Sequence, residues 1–323
     1  MTKGRLLTIL GFLISAVLLI FSLKGVQGKE IWLILKKADP VYLFVPLAFI
    51  FSAVTICSFR WSRVAGNGTR VGDTFVSLLI GLFVNNVLPM RIGELARGYV
   101  LSKKTGATFT YAFSTVLLDR FFDLTGLLLL TFLFFPSQSL PPNVSLAIRL
   151  LVGLLIVCVG CIIVLSQERV ANRISSRLLR LETSFLKKSG HRILEIQENL
   201  KRIGSPFTIL LLIALSFCTW FSMAVALYFV TRTLGVNVPF GCIPFVCALL
   251  NMGLTIPSSP GYVGVYQGLL VYLLALFGVP KTEGFTVSVL YHASWYVPYT
   301  ILGFVFLVTE HIKVKEIQNL ETG

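Results

Sequence analysis

The chain alternates long apolar runs with short polar or basic segments. Seven of the runs are long enough for a helix that crosses a bilayer. They predict membrane spans at 6–24, 41–60, 109–135, 146–166, 207–231, 262–279 and 284–309. Two further runs, about 74–89 and 240–256, are shorter and are stopped by a proline, which interrupts helices. This pattern predicts an all-α polytopic membrane protein with two re-entrant or broken helices.

The segments that end the two short runs resemble each other. One extends from Asn85 to Glu94 and the other from Asn251 to Gly264, and each contains a Pro-x-x-x-Gly step. Irregular backbone at membrane depth persists only where protein or a polar cavity satisfies its hydrogen-bonding groups. Short, broken hydrophobic segments at corresponding places in two halves are typical of a transport site near the bilayer midplane. We therefore predict two inverted repeats around a central cavity.

Composition supports the membrane class and suggests an orientation. The chain is 55% hydrophobic and 13% charged, whereas a soluble domain carries roughly 25% charged residues. Residues 167–206 hold nine Lys/Arg and four Glu, while 136–145 hold no charge. The positive-inside rule places the basic segment in the cytoplasm and the uncharged one outside, although four lysines in 24–39 oppose this scheme. We attribute the formal charge of +14 mainly to this rule and secondarily to contact between basic residues and anionic lipid.

The basic segment divides one integral membrane domain into repeat one, about 1–166, and repeat two, about 207–310. Within this linker, about 167–206, four arginines recur at three- and four-residue steps: Arg169, Arg173, Arg177 and Arg180. Apolar residues occupy another face, which predicts an amphipathic helix on the anionic cytoplasmic leaflet. A solvated helix between the two halves fits the pattern equally well.

The first candidate site follows Pro89. If a helix begins there, Arg91, Glu94 and Arg97 share one face at three-residue steps, and the positive end of the helix dipole points at the break. Two arginines beside a helix N-terminus suit a phosphate or another anionic head group. The alternative is an interfacial helix start, stabilised by a salt bridge, whose arginines extend to the membrane surface.

The second candidate site lies inside an apolar run. Asp119 and Asp123 share a helix face, and Arg120 can pair with Asp123. Three ionisable groups in one span are costly unless they are buried together or face a polar cavity. They either support the head-group site or form a structural pair that locks this helix to the segment containing Arg91 and Arg97.

The third candidate is a neutral wall opposite the charged one. The second break supplies prolines, glycines and hydroxyls that predict a rigid gate with close backbone approach. Its residues are Pro257, Ser258, Ser259, Pro260, Gly261, Gly264 and Gln267. Asn86, Pro89 and Gly93 are the corresponding gate or cavity residues of the first break. Asn85 and Asn86 either line the cavity or satisfy broken backbone, and His292 is read as a structural histidine or a proton relay.

Other chemistry is not indicated. The three histidines are far apart, and the six cysteines lie in or beside apolar runs, so neither a metal site nor another cofactor is predicted. No phosphate-binding loop of the nucleotide-dependent pumps is found, and no nucleophile and base can be paired. We expect a protein that is not an enzyme. Nucleic acid is not expected as a partner, because the basic residues cluster beside membrane segments.

The ordered motifs resemble a known group. They are Pro89-x-Arg91-x-Gly93-Glu94-x-x-Arg97, Asp119-Arg120-x-x-Asp123 and Pro257-x-x-Pro260-Gly261-x-x-Gly264. This set looks like the flippase-like family that shares its fold with the transmembrane domain of the lysylphosphatidylglycerol synthase called multiple peptide resistance factor. The resemblance covers about residues 5–310. It implies inverted repeats with re-entrant helices around a lipid head-group cavity, and a role in handling aminoacylated phospholipids or polyisoprenoid-linked lipids.

Two departures from this family affect the expected mechanism. The family commonly has Glu where this chain has Gln267, which removes a carboxylate that could couple transport to ions or protons. It also commonly has a Glu-Arg pair where this chain has Asp119-Arg120. The fused enzymes carry a soluble aminoacyl-transferase domain that this sequence lacks, so we do not expect it to make lysyl-lipid itself.

We therefore expect an inner-membrane protein that moves a lipid with an anionic or phosphorylated head group between leaflets. Arg91 and Arg97 would bind the phosphate, and the other ionisable candidates would position them or read a cationic part of the head group. The alternatives are a membrane subunit or enzyme of a glycosyl- or aminoacyl-transferase system, and a scaffold without transport. Expected partners are a membrane phospholipid or polyisoprenoid-linked lipid and the anionic leaflet surface. A second copy of the chain and a membrane transferase are further candidates.

Overall fold

The computed structural model describes residues 3–38, 40–66, 68–88, 92–135, 168–179, 206–255, 259–313 and 316–317, with five single residues between 146 and 160. Several predictions from the sequence lie outside these residues. They concern Pro89, Arg91, Pro257, Ser258, the uncharged segment 136–145, most of the span at 146–166 and the linker beyond residue 179.

Eleven α-helices and no strand are found in the described residues. They are α1 (Lys3–Leu23), α2 (Gly28–Lys37), α3 (Pro40–Ala65), α4 (Val71–Val87), α5 (Gly93–Thr105), α6 (Phe109–Leu133), α7 (Glu168–Leu179), α8 (Pro206–Thr233), α9 (Ile243–Gly253), α10 (Val265–Ala275) and α11 (Lys281–Thr309). Two short 3-10 turns, Phe240–Cys242 and Pro260–Tyr262, precede α9 and α10. The all-α prediction is confirmed.

Two of the described helices have the length and apolar composition of a bilayer-crossing span. They contain the segments Phe44–Ala65 and Phe207–Thr233, in α3 and α8. The pair α1 and α2, bent by 78° at a short break, adds a third if it is counted as one span. The long helix α6 carries three charged residues, Asp119, Arg120 and Asp123, in its middle.

The same order of long and short helices occurs twice. The segment from α3 to α6 consists of a long helix, a short helix, a break, a second short helix and another long helix. The segment from α8 to α11 repeats this order. The short helix before each break packs against the last helix of the other half, α4 against α11 and α9 against α6. The two leading helices, α3 and α8, pack extensively on each other. The halves are therefore interlocked, and their inverted relation stays a prediction.

The helices around the breaks are short, and one predicted span is wrong. At 1.5 Å per residue, the 11 residues of α9 and of α10 each extend about 16 Å, roughly half the hydrocarbon core. The span predicted at 262–279 is therefore not a crossing helix, because α10 stops at Ala275. The short helix α9 precedes α10, with the turn Pro260–Tyr262 between them, and their pairing as one broken crossing stays a prediction. Similarly, the span predicted at 41–60 continues to Ala65 in α3.

Candidate functional site

A cavity of about 390 Å³ lies between the two halves. This volume falls within the range of roughly 300–1,000 Å³ that is usual for small-molecule sites. One wall carries ionisable side chains, namely Glu94, Arg120 and Asp123. Five aromatic side chains also line it: Trp220, Tyr262, Tyr266, Trp295 and Tyr299. The remaining lining is mainly aliphatic, with Asn85, Asn251, Thr219 and Thr255 as uncharged polar groups.

Six side chains form a closed ring of alternating charge behind and along the ionisable wall. We call this the charged ring, and its members in order are Arg60, Asp119, Arg97, Glu94, Arg120 and Asp123. Each member forms an ion pair with the two beside it, and the six N–O distances lie between 2.6 and 3.2 Å. Three guanidinium groups and three carboxylates balance. Each buried charge therefore has a partner, as the cost of desolvation requires.

The charged ring joins three helices of the first half. Arg60 comes from α3, Glu94 and Arg97 from α5, and the remaining members from α6. The sequence predicted that the charges of α6 either support the site or lock α6 to the neighbouring segment. The lock is present, because Asp119 contacts Arg97 and Arg120 contacts Glu94.

Exposure divides the ring into a buried side and an open edge. The side chains of Arg60 and Asp119 are 0% exposed, that of Arg97 1% and that of Asp123 7%. By contrast, Arg120 is 38% exposed and Glu94 30%, and both line the cavity. A ligand in the cavity therefore meets the edge formed by Arg120 and Glu94, whose charged atoms lie 2.6 Å apart.

Arg60 is the functional candidate that the sequence analysis missed. The predicted span 41–60 ends at Arg60, whereas α3 continues past it to Ala65. Its guanidinium contacts both aspartates and donates to the Ser216 hydroxyl at 2.9 Å and the Cys57 sulfur at 3.4 Å. The signal in the sequence was weak, because Trp61, Val64 and Ala65 follow Arg60 but Ser62 and Arg63 interrupt them.

Arg97 lies in the interior of the ring. Its Nη2 donates to Asp119 at 2.8 Å, and its guanidinium carbon lies 4.4 Å from the centre of the Trp61 ring. Trp61 is itself fixed by a 3.1 Å hydrogen bond from its indole nitrogen to the Thr115 hydroxyl. Arg97 is not among the residues that line the cavity, and it does not extend to a membrane surface. The geometry assigns it to positioning Asp119 and Glu94.

Asn85 connects the first break to the cavity. Its side-chain oxygen accepts a 2.8 Å hydrogen bond from the Gly93 backbone N–H at the start of α5, and it also lines the cavity. Position 93 requires a glycine, because a Cβ there would overlap the backbone carbonyl of Gly81 in α4. Asn86 instead points to the other half and donates to the Thr300 hydroxyl at 2.8 Å. Asn85 therefore both lines the cavity and satisfies backbone at the break, the two roles that the sequence left open.

The second break is held by neutral hydrogen bonds. The Ser259 backbone N–H donates to the Ser15 hydroxyl of α1 at 2.8 Å, and the Gly264 N–H donates to the Gln267 side chain at 2.7 Å. Gln267 Nε2 lies 3.0 Å from His292 Nδ1. Ser259, Pro260, Gly261, Gly264 and Gln267 are not among the cavity-lining residues. They shape the loop that places Tyr262 at the cavity.

Three of four consecutive residues in this loop have left-handed backbone. The φ angles are +65° at Gly261, +60° at Tyr262 and +91° at Gly264. Left-handed backbone is readily available to glycine and unusual for a tyrosine. Hence the two glycines allow the tight path of the chain, while Tyr262 is held in an uncommon conformation at the cavity wall.

Four of the aromatic residues that line the cavity, Tyr262, Tyr266, Trp295 and Tyr299, form a connected cluster in the second half, which we call the aromatic wall. The Tyr266 ring stacks on His292 with centroids 4.4 Å apart, and the Trp295 indole donates to the Tyr266 hydroxyl at 3.1 Å. The hydroxyl of Tyr299 donates to the Ile50 carbonyl of α3 at 2.7 Å. His292 is 6% exposed and packed among rings, which fits the structural interpretation of this histidine.

Cys57, Asp119 and Asp123 place a sulfur and two carboxylates within 4.8 Å of one another. Such a set has the donor types of a metal site. However, the guanidinium of Arg60 already pairs with both carboxylates and lies beside the sulfur. The geometry is that of an ion-pair network, in which arginine supplies the positive charge.

Comparison with known proteins places this chain among membrane proteins. The family described as lysylphosphatidylglycerol synthase TM region matches residues 8–303. A UPF0104 membrane protein of Methanocaldococcus jannaschii is 28% identical over 247 residues, which cover 74% of this chain and 99% of that protein. A UPF0104 membrane protein of Methanothermobacter thermautotrophicus is 26% identical over 296 residues, 86% of each chain. The resemblance seen in the motifs is confirmed. Since the match extends over nearly the whole chain, this membrane protein belongs to the lysylphosphatidylglycerol synthase transmembrane-region family.

Proposed function

We propose that this protein binds a lipid with a phosphorylated head group between its two halves and moves it from one leaflet to the other. The observation that carries the proposal is the cavity, which combines one ionisable edge with a large apolar and aromatic surface. An amphiphilic lipid offers the same combination. The family's description, which refers to a lipid-modifying synthase, supports a lipid as the ligand.

The ring members would divide the work according to their exposure. Arg120 would contact the phosphate, and Glu94 would contact a cationic or hydroxyl part of the head group, because both line the cavity. Arg60, Arg97 and Asp119 would hold these two side chains in place from the buried side. Arg91 stays a predicted phosphate ligand, since it lies outside the described residues.

Movement between leaflets would use the two breaks. Two inverted repeats that alternately open a central cavity are the usual mechanism of transporters with broken helices. The interlocked packing of α4 on α11 and of α9 on α6 supports such a relation. In this proposal Tyr262 and its glycine-rich loop form the gate opposite the charged ring.

Lipid binding is tested by native mass spectrometry of the purified protein in detergent. We expect a phospholipid to co-purify, and Arg120→Gln to weaken its binding about tenfold, the loss expected for one charge-assisted hydrogen bond. The matched control is Arg63→Gln, because Arg63 is an exposed arginine of α3 away from the cavity. Equal binding by both variants would show that the cavity edge is not the head-group site.

Translocation needs a separate measurement. The protein would be reconstituted into vesicles that contain a fluorescent phospholipid, and a membrane-impermeant quencher would report the lipid in the outer leaflet. We expect the protein to make the inner-leaflet pool accessible, and Arg120→Gln to slow this exchange. Tight lipid binding without exchange would support the alternative, in which the protein presents the lipid to a transferase. The reference to a synthase in the family description favours that alternative.

The proposed orientation places the protein in the inner membrane with the basic linker in the cytoplasm. Single cysteines at Ser139 and Gly190, in a background without the native cysteines, would be labelled from outside the cell. We expect labelling at position 139 and protection at position 190, because 136–145 carries no charge and the linker is strongly basic. The reverse pattern would overturn the orientation.

A further inference from the structure

Gln267 joins the loop of the second break to the last helix. Its side-chain oxygen accepts a hydrogen bond from the Gly264 backbone N–H at 2.7 Å, and its side-chain nitrogen lies 3.0 Å from Nδ1 of His292 in α11. Gln267 and His292 are each 6% exposed. Both ends of the amide therefore form hydrogen bonds in a place where little water can compete for them.

These two contacts fix the position of the proton on His292. A backbone N–H can only donate, so the atom of Gln267 that faces Gly264 is the carbonyl oxygen. The atom that faces His292 is consequently the amide nitrogen, which has two donors and no acceptor. Nδ1 must accept this hydrogen bond, and it therefore carries no proton. In a neutral imidazole the proton then lies on Nε2.

The same contacts oppose the uptake of a second proton. A protonated imidazole has a donor at each ring nitrogen, so a hydrogen on Nδ1 would point at the hydrogens of the Gln267 amide. A rotation of the amide would remove this conflict at His292, but it would turn the NH2 group towards the Gly264 N–H. Two donors would then face each other at the loop. The amide therefore stabilises only the neutral ring.

The surroundings of His292 supply no opposite charge for a protonated ring. The Tyr266 ring of α10 stacks on it at 4.4 Å, and the ring centres of Trp295 and Tyr296 in α11 lie 5.0 and 5.3 Å away. The loop between α9 and α10 contributes the backbone of Gly261. In the described part of the chain, no ion pair and no charged hydrogen-bond partner of His292 is found. A positive ring here would be buried without a partner, which is costly.

We infer that Gln267 is a positioning residue that holds His292 as its neutral Nε2–H tautomer, so that this histidine fixes the loop and does not carry protons. The sequence left a structural role and a proton relay open for His292, and these hydrogen bonds favour the structural role. The functional part of the inference rests on the proposed movement of lipid, which would take no proton from this site. Tyr266 also gains a fixed support, because it stacks on a ring whose orientation Gln267 sets.

The tautomer is tested by solid-state NMR of the full-length chain in lipid vesicles, with histidine carrying the heavy nitrogen isotope. A variant with His191→Gln and His311→Gln leaves His292 as the one histidine. We expect an unprotonated Nδ1 and a protonated Nε2 at every pH between about 5 and 8, the range in which an ordinary histidine changes charge. His311 is exposed just beyond α11 and should titrate in the unmodified chain, which makes it the internal reference. A proton on Nδ1 of His292 would overturn the inference.

Gln267→Glu tests whether the amide sets the tautomer. One carboxylate oxygen can still accept from the Gly264 N–H, while the other can accept a hydrogen bond from a proton on Nδ1. We expect His292 in this variant to gain that proton and a positive charge. Gln27→Glu, at an exposed glutamine before α2, adds the same charge elsewhere and should leave the His292 signal unchanged.

An unchanged His292 signal in Gln267→Glu would overturn the role assigned to Gln267. Should this variant fail to fold, the spectrum of the unmodified chain still decides the tautomer.

The exchange of fluorescent phospholipid in vesicles tests the functional part. We expect the unmodified chain and Gln27→Glu to show the same dependence of the exchange rate on pH. Gln267→Glu should show an additional dependence that follows the charge of His292. Identical pH profiles for all three, together with a charged His292 in Gln267→Glu, would overturn the functional part. Exchange by none of the three would refute the proposed movement of lipid, whereas the tautomer is decided by the spectra.

Discussion

The two breaks occupy corresponding places in the helix order and are stabilised by opposite chemistry. Around the first break, ion pairs connect α5 to α3 and α6 through Arg97, Asp119 and Arg60. Around the second, hydrogen bonds between uncharged groups stabilise the loop. Gln267 accepts a hydrogen bond from the Gly264 N–H and lies 3.0 Å from His292. One half therefore presents charge to the cavity and the other half presents aromatic rings.

The difference suggests that the repeated helix order serves the fold while the ligand site depends on asymmetry. Both halves need a short helix, a break and a second short helix to let backbone reach the cavity. Under the proposed function only one half needs ionisable groups, because a head group has a single charged end. Four changes test this comparison.

The largest expected effect comes from removing Arg60, the buried arginine of the charged ring that pairs with both aspartates. Arg60→Ala leaves three carboxylates with two guanidinium groups in the ring, so one buried negative charge is uncompensated, and breaking a buried network in this way costs about 3–5 kcal/mol. Thermal melting in detergent should show a large loss of stability or no folded protein. Arg63→Ala, at an exposed arginine of the same helix, should melt like the unmodified chain.

A double variant sharpens this result. Arg60→Met combined with Asp123→Asn removes one charge of each sign and leaves Asp119, Arg97, Glu94 and Arg120 as a balanced set, so it should recover a large part of the lost stability. If Arg60→Ala itself melts like Arg63→Ala, the charged ring does not stabilise the first half.

The second effect concerns backbone at the second break. Gly264 has a φ of +91°, and a Cβ there would overlap the Ser15 carbonyl of α1. Gly278 also has a positive φ, +78°, but a Cβ there would meet no atom within 4 Å. Gly264→Ala should therefore cost roughly 1–3 kcal/mol more than Gly278→Ala, the usual penalty of overpacking. Equal melting temperatures for the two variants would show that α1 does not hold this loop.

A smaller effect is expected from the neutral hydrogen bonds. Gln267→Met removes the acceptor for the Gly264 N–H at the start of α10, and the loss of such a cap costs about 1 kcal/mol. The matched control is Gln27→Met, because Gln27 precedes α2 and makes no side-chain cap. Melting temperatures at low and high salt should shift equally, since no ion pair is broken. A loss as large as that of Arg60→Ala would contradict the division between a charged and a neutral break.

The smallest effect should come from ion pairs at the far end of α5. Lys103 contacts Glu316 at 2.9 Å, yet the two side chains are 46% and 36% exposed. Exposed pairs contribute about 0–1 kcal/mol, so Lys103→Ala should barely change the melting temperature. A comparison of this variant with Arg97→Ala, at a buried arginine of the same helix, separates the effect of burial from the effect of charge. A loss comparable to that of Arg97→Ala would mean that exposure does not decide the strength of these pairs.

Much of the architecture could be predicted from local sequence. Apolar length gave the class and most helices, and proline with glycine marked both breaks near the ends of α4 and α9. The boundaries that failed were those where an apolar run continues through a functional feature. The span 41–60 is predicted to end at Arg60 because a charge is normally excluded from a span, and 262–279 is predicted as one span because Gln267 is the one strongly polar residue in it.

The sequence by itself determined an all-α membrane fold, two broken segments and the charges that stand close to them. Hydrophobic length and the limits that proline and glycine place on backbone are local properties, so they can be read from neighbouring residues. Only the tertiary structure decided that Arg60 from α3 closes a ring with side chains of α5 and α6. It also decided that Arg120 and Glu94 face the cavity while Arg97 does not. The reason is physical: buried charges must find partners, and which partners are within reach depends on how distant helices pack.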